Sequence, residues 1–403
     1  MTTLWRAGLP VLVLTLSGGA TAWAQSRDGF SMTASYSLQH DSNLFRIPDG
    51  VDPQMVLSGA SGAEDIGITS AGLRYAQTYS LQRVELELSL VDYRYHTYSQ
   101  QNLLAKNHDA AWHWQLTPRV RGSLTSDRKA TVNSFDNASG VSIANQRVIS
   151  HTSLDALYEV DGVWRLVGGL HRSREKNQQQ QIGQDSYSSR SAEAGLRYDA
   201  KSGSHLVYRL RQSSGRTFDA SGSIPSTQRD DEFEQLDNEL KARWAFSGKS
   251  SFDLGFTHID RTHPRLSERD YSGINAAAAL NWEATGKTLW SAGLSRELSS
   301  YQTSNASYAQ ADQLRLGFSW LVAPRTTLRA NIAETSRRYL GAPAGQASDP
   351  RRDTTRDSSL GVNWSVHQNM SVNASWQRTQ RRSNQPGLAF SSNQLVLGTS
   401  VGF

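Results

Sequence analysis

Residues 232–246 read EFEQLDNELKARWAF, and the side chains change character at every step. Leu236, Leu240, Ala242, Trp244 and Phe246 fall on one parity; Asp237, Glu239, Lys241 and Arg243 fall on the other. Residues two apart share a face in a strand, so this is a β-strand with one greasy face and one charged face. The same alternation sets Leu206, Tyr208 and Leu210 against His205, Arg209 and Arg211. It sets Leu314, Leu316, Phe318 and Trp320 against Gln313, Arg315 and Ser319, and Leu360, Val362, Trp364 and Val366 against Asp357, Ser359 and Asn363.

A soluble antiparallel sheet alternates too, but its strands are usually about 5–6 residues long. The alternating segments here run to ~14 residues, which rise about 46 Å; tilted by ~40° they cover about 35 Å along a barrel axis. That exceeds the apolar band of ~25 Å that a transmembrane barrel presents to lipid. Length therefore points to a membrane.

The connections alternate as well. Tight turns are expected near Ser80-Leu81 and at Thr117-Pro118-Arg119, Asp161-Gly162, Ser202-Gly203, Gly248-Lys249, Gly286-Lys287, Ala323-Pro324 and Gln368-Asn369. Between them come long polar loops, among them Ile47–Glu64, Thr131–Asn145, Asn177–Asp185, Thr217–Asp230 and Leu340–Arg352. Short turns on one side and long loops on the other are the habit of outer-membrane barrels, with the short turns periplasmic. The count predicts an all-β, antiparallel up-and-down barrel of about eighteen strands with both termini in the periplasm. Trp114, Trp164, Trp244, Trp282, Trp290, Trp320 and Trp364 all lie a few residues from a short turn on the apolar parity. Such a row predicts an aromatic belt at one membrane interface. The chain ends on an alternating strand, with Leu395, Leu397, Thr399, Val401 and Phe403 on one face. An aromatic end of this kind resembles the signal read by the barrel assembly machinery.

Composition fits the same picture. Arg6, the apolar stretch Leu9 to Leu16 and the Ala22-Trp23-Ala24 site read as a cleaved signal peptide over 1–24, leaving a barrel over 25–403. Only 37% of the residues are hydrophobic and no later apolar run is long enough for a membrane helix. Cysteine is absent, which excludes a disulfide framework. The net charge of +5 is spread along the chain rather than gathered on one face, so nucleic acid is not an expected partner. Neither a cofactor nor a metal is expected: there is no His-x-x-x-His, no Cys and no Asp-rich calcium loop.

By strand parity the polar side chains line the lumen. Arg165, Arg209, Arg211, Arg243, Arg315 and Arg329 are candidates for the solute path, with Arg74, Arg121 and Arg197 on the same face. Glu85, Glu87, Asp109, Asp155, Glu159, Glu193, Asp237 and Glu239 share it. These arginines either offer bidentate hydrogen bonds to an anionic solute or pair with the acids and stiffen the wall. A hydrolase would need a nucleophile beside Asp109, His113 or His151, and nothing in the sequence supplies that clustering; no catalysis is expected.

The first strand ends in His40-Asp41-Ser42-Asn43-Leu44-Phe45-Arg46. This run resembles the EpsL-type family of outer-membrane barrels, which accompany exopolysaccharide biosynthesis in Gram-negative bacteria. The resemblance implies an outer-membrane channel that exports a polysaccharide, working with periplasmic export or synthesis proteins. On that reading Asp41 and Asn43 hydrogen-bond sugar hydroxyls at the extracellular mouth, and Phe45 stacks on a pyranose ring. A competing local reading gives Asp41 and Asn43 to turn chemistry and lets Arg46 tie the loop to the wall. A general or sugar-uptake porin remains the alternative for the whole chain, marked by a loop folded into the pore, as does a structural or adhesive barrel.

Overall fold

The computed structural model describes residues 28–132, 146–178, 186–218 and 228–403. The signal segment expected over 1–24, and parts of three long loops, lie outside them. Each alternating segment is a strand of 13 to 16 residues. In chain order these are β1 (Gly29–Asp41), β2 (Glu64–Tyr79), β3 (Gln82–Tyr95), β4 (Leu103–Thr117), β5 (Val120–Val132), β6 (Gln146–Glu159), β7 (Trp164–Asn177), β8 (Ser186–Asp199) and β9 (His205–Phe218). They continue as β10 (Glu232–Ser247), β11 (Ser250–Thr262), β12 (Tyr271–Thr285), β13 (Thr288–Ser300), β14 (Tyr308–Ala323), β15 (Thr326–Leu340), β16 (Arg352–His367), β17 (Met370–Ser383) and β18 (Phe390–Gly402).

Every strand pairs antiparallel with its neighbours in sequence, and β1 pairs with β18, with Ser37 opposite Gly398 and Asp41 opposite Gln394. The sheet is therefore a closed eighteen-stranded barrel with no free edge, the condition for a sheet to stand in lipid. Eight short turns lie at one end together with the start of β1 and the end of β18, and nine longer connections lie at the other. The turns sit where Gly, Pro and Asx chemistry calls for them. At one, Asp161 Oδ1 accepts from the amide N–H groups of Trp164 (2.7 Å) and Val163 (2.9 Å), which hold its carboxyl below the usual value.

The apolar parity faces outward. Leu170, Leu294 and Leu397 are more than half exposed on the outer wall, and Trp244 is 61% exposed. The indoles gather at the short-turn end: Trp282 and Trp290 are direct cross-strand partners, and Trp290 lies 4.4 Å from Phe318 between ring centroids. One indole needs a gap beneath it. Trp114 crosses Gly122 on β5, where an added Cβ would come within 2.3 Å of the indole. A barrel of this size has no central hydrophobic core. Its largest cluster of buried apolar side chains lies instead at the long-loop end, around the β1–β2 loop.

Candidate pore and its mouth

The inward parity of β2 and β3 is polar near the short turns and turns apolar near the mouth. Ile66 and Ile68 on β2 face Tyr95 and Tyr93 on β3 across the ladder, all on the lumen side. Bare apolar surface in a wet pore is unfavourable, and the β1–β2 loop, residues 42–63, covers it. Leu44, Phe45, Ile47 and Leu57 of the loop are buried with Ile66, Ile68, Tyr95 and Tyr98 in one cluster. Phe45 is 2% exposed and meets Tyr98 edge to face at 4.7 Å. Burying such side chains is worth about 2 kcal/mol each, enough for four of them to hold a loop against its ordering cost. Glu64 ties the next connection to the same place, accepting from the backbone N–H groups of His96, Thr97 and Tyr98 at 2.8–3.2 Å. A loop expected to be polar throughout is thus amphipathic and folded into the pore.

The Asp41–Arg46 run is the hinge of that loop. Asp41, 1% exposed, accepts from Ser392 Oγ (2.7 Å) and Gln394 Nε2 (2.7 Å) on β18, from the Asn43 amide (2.9 Å) and from Arg46 Nη1 (3.0 Å to each oxygen). Asn43 Oδ1 accepts the Ile47 amide (2.8 Å), while its Nδ2 donates to the carbonyls of Ile47 (2.9 Å) and Ser391 (3.1 Å). Arg46 takes a left-handed backbone, φ +55°, to turn the chain inward. The sugar-binding roles expected of these residues give way to the turn-and-tether reading. Asp41 and Asn43 spend their polar atoms on the clasp, Phe45 has no open ring face for a pyranose, and Arg46 is held by Asp41.

The structure turns all six candidate arginines of the wall inward but does not give them one role. Glu193 on β8 accepts from Arg211 Nε (2.8 Å) and Nη2 (2.6 Å) and lies 3.6 Å from Arg209, which reaches Glu239 at 3.4 Å. Arg165 pairs with Asp199 and with Glu159 at 3.5 Å, and Arg243 approaches Asp253 at 3.6 Å. These four stiffen the β7–β11 wall. On the other side Arg315 donates to an amide oxygen, that of Gln313 at 3.0 Å, and forms no close ion pair among the described residues. Arg329 on β15 has no ion-pair or hydrogen-bond partner among the described residues and is exposed in the lumen.

Asp155, His171 and Glu193 hold their ligand atoms within 4.8 Å of one another on adjacent strands. Arg211 already occupies Glu193, and the charge of Arg209 beside it opposes a cation. Asp109 and His151 share one lumen row through Asp127, whereas His113 stands four residues nearer the short turns, about 13 Å away along β4. The three do not converge on a point.

With this geometry in place, the chain can be set beside known proteins. The profile of the family described as "Putative beta-barrel porin 2" matches residues 246–403, from the end of β10 to the last residue. No curated protein sequence matches the chain. Among solved structures it is similar to OccK2 (OpdF) of Pseudomonas aeruginosa, at 12% identity and a TM-score of 0.52, covering 93% of this chain and 97% of that one. It is also similar to OccK3 (OpdO) of the same organism, at 13% identity and a TM-score of 0.51, covering 93% and 96%. OccK2 has also been crystallised in complex with glucuronate, and that structure aligns with a TM-score of 0.51 at 12% identity, covering 93% of this chain and 98% of that one. At such identities the likeness concerns the fold, and the fold is that of a porin-like outer-membrane β-barrel.

Proposed function

We propose that the protein is a passive outer-membrane channel for small hydrated solutes, a porin narrowed at its outer mouth by the β1–β2 loop. The observation that carries this reading is the burial of Leu44, Phe45, Ile47 and Leu57 against inward-facing Ile66, Ile68 and Tyr95. A loop anchored this way limits the size of what passes, while a polar wall elsewhere keeps water in the pore. An eighteen-stranded barrel is wide enough for an aqueous channel around such a loop. Arg329 adds a place where a carboxylate can be held briefly, so a sugar acid such as glucuronate is a sensible first solute to try.

Planar-bilayer conductance and swelling of vesicles loaded with the purified barrel test the proposal. Steady single-channel steps and uptake of monosaccharides are expected; a barrel with no conductance in either assay rules it out. Export of an exopolysaccharide is the second reading, favoured by the resemblance at Asp41–Arg46. It needs a mouth that a polymer can thread, and the side chains once assigned to sugar contacts are tied down. Gene deletion separates the two: loss of surface polymer with unchanged solute uptake would favour export, and the reverse would favour the porin.

A further inference from the structure

One sector of the outer wall carries a run of cations with no acid on the same strands among the described residues. The register puts Arg128, Arg172, Arg174, Lys176, Arg190 and Arg216 on the outward face of β5 to β9, near the long-loop end. No Asp or Glu occupies an outward position on those five strands among the described residues; the first acids are Glu234 and Glu232 of β10, the latter directly opposite Arg216 at the sector's edge. Elsewhere on the outer wall several arginines have acidic partners, although Arg352, Arg378 and Arg382 of β16 and β17 also face outward. Arg296 pairs with Asp312 at 2.6 Å, Arg356 with Glu334 at 2.5 Å and Arg94 with Asp92 at 2.7 Å.

Within the sector the arrangement is self-repelling. Arg172 and Arg190 are direct cross-strand partners, a placement of like charges that destabilises a sheet unless something neutralises it. Both are exposed, as are Arg174, Lys176 and Arg216. Arg174 is steadied by the Phe218 ring, 5.0 Å from its guanidinium carbon, and Arg128 by the Lys106 carbonyl. Between them opens a pocket of about 610 Å³, lined by Arg128, Arg174 and Lys176 with Gln146 and Ser150.

Height on the wall identifies the occupant. Arg172 and Arg190 each stand eight residues from the aromatic pair Trp164 and Tyr198, which mark the opposite interface. Eight residues rise about 26 Å along the strand and about 20 Å along the axis at a tilt of ~40°, and the long side chains can reach a few ångströms further. The guanidinium groups therefore lie at the upper border of an apolar band of ~25 Å, the level of the headgroups of the leaflet facing the long loops. We propose that this sector is a binding site for the phosphorylated headgroups of that leaflet's lipid, with phosphate oxygens bridging Arg172 and Arg190 and a second phosphate in the Arg128–Arg174–Lys176 pocket. Guanidinium matches phosphate bidentately, and a dianion removes the repulsion that the register imposes.

The test uses the full barrel, purified in a neutral detergent and offered lipopolysaccharide with its lipid A phosphates intact or enzymatically removed. Retained lipid is read by native mass spectrometry. The phosphorylated form should bind at least about tenfold more tightly than the dephosphorylated one, and the variant R172Q/R174Q/R190Q/R216Q should lose about tenfold or more of that affinity. Arg356→Gln, at an outer-wall arginine already paired with Glu334, should not. The double variant R172Q/R190Q removes a repulsion, so it should remain a folded, heat-modifiable barrel even if the quadruple variant does not, and it should show part of the loss. Equal retention of the two lipids, or unchanged retention by a folded variant, overturns the proposal. Displacement of the lipid by inorganic phosphate alone would overturn the assignment to lipid and leave a free-anion site.

Discussion

Gln394 Nε2 donates to Asp41 Oδ2 at 2.7 Å across the line where the first strand of the barrel meets the last. The same carboxylate holds Arg46, so closure of the wall and entry of the loop share one group. Asp41→Ala should leave the Arg46 guanidinium with only the neutral oxygens of Asn43 and Ser392 in a mostly buried site, at a cost of about 3 kcal/mol. Equilibrium urea unfolding from vesicles measures it, with Asp41→Asn expected to fall between the two. A loss below a few tenths of a kcal/mol would remove the clasp from the account.

Phe45→Ala empties the middle of the loop cluster. Truncating a buried Phe costs about 3–5 kcal/mol of packing, so the loop should spend much of its time detached from Ile66 and Ile68. Single-channel recordings should then show larger and noisier conductance than wild type. Unchanged steps would mean that the loop does not set the constriction.

Arg329 has no ion-pair partner among the described residues, whereas Arg211 is shared with Glu193. Arg329→Glu should move the reversal potential in a salt gradient toward cation preference. Arg211→Ala should act chiefly on stability, by stranding Glu193. If the two substitutions change selectivity alike, the distinction between free and paired wall arginines fails.

Asp230 sits in the connection before β10 and is 1% exposed. Burial raises its carboxyl pKa, but the amide N–H groups of Arg265 (2.6 Å), Glu232 (3.1 Å) and Leu266 (3.0 Å), with the Arg265 charge, outweigh this and lower it. A folded-state pKa below the unfolded one gives stability that is full above the ordinary carboxylate range and lost as pH falls through the lowered value. Hydrogen exchange over 228–232 and 263–270 should therefore stay slow at neutral and mildly acidic pH. Protection should fall only below the ordinary carboxylate range. Exchange that quickens between pH 7 and 5 would contradict this.

Most of the wall was legible in the sequence because side chains in a strand alternate with period two, with no drift over fifteen residues. Parity alone places Trp244 outside and Glu239 inside, and Gly and Pro punctuation places the turns. The mouth was harder to read, although its signal was present. Ile66, Ile68, Tyr93 and Tyr95 break the pattern by standing apolar on the polar parity, which makes sense only once a loop carrying Leu44, Phe45 and Ile47 is laid over them. The division of the arginines was not legible at all. That Glu193 serves Arg211 follows from the register between β8 and β9, which a single strand cannot reveal. The cations of β7 to β9 do read as outward one strand at a time, but their lack of acids emerges only when neighbouring strands are set side by side.

Asp41 and Gln394 are 353 residues apart in the chain. Two of the donors to the carboxylate that anchors the loop, Ser392 and Gln394, arrive only with β18, so a barrel still open along its side also lacks a settled gate. Narrowing of the passage and completion of the ring are then one event in assembly, and a half-inserted intermediate should be leakier than the finished pore.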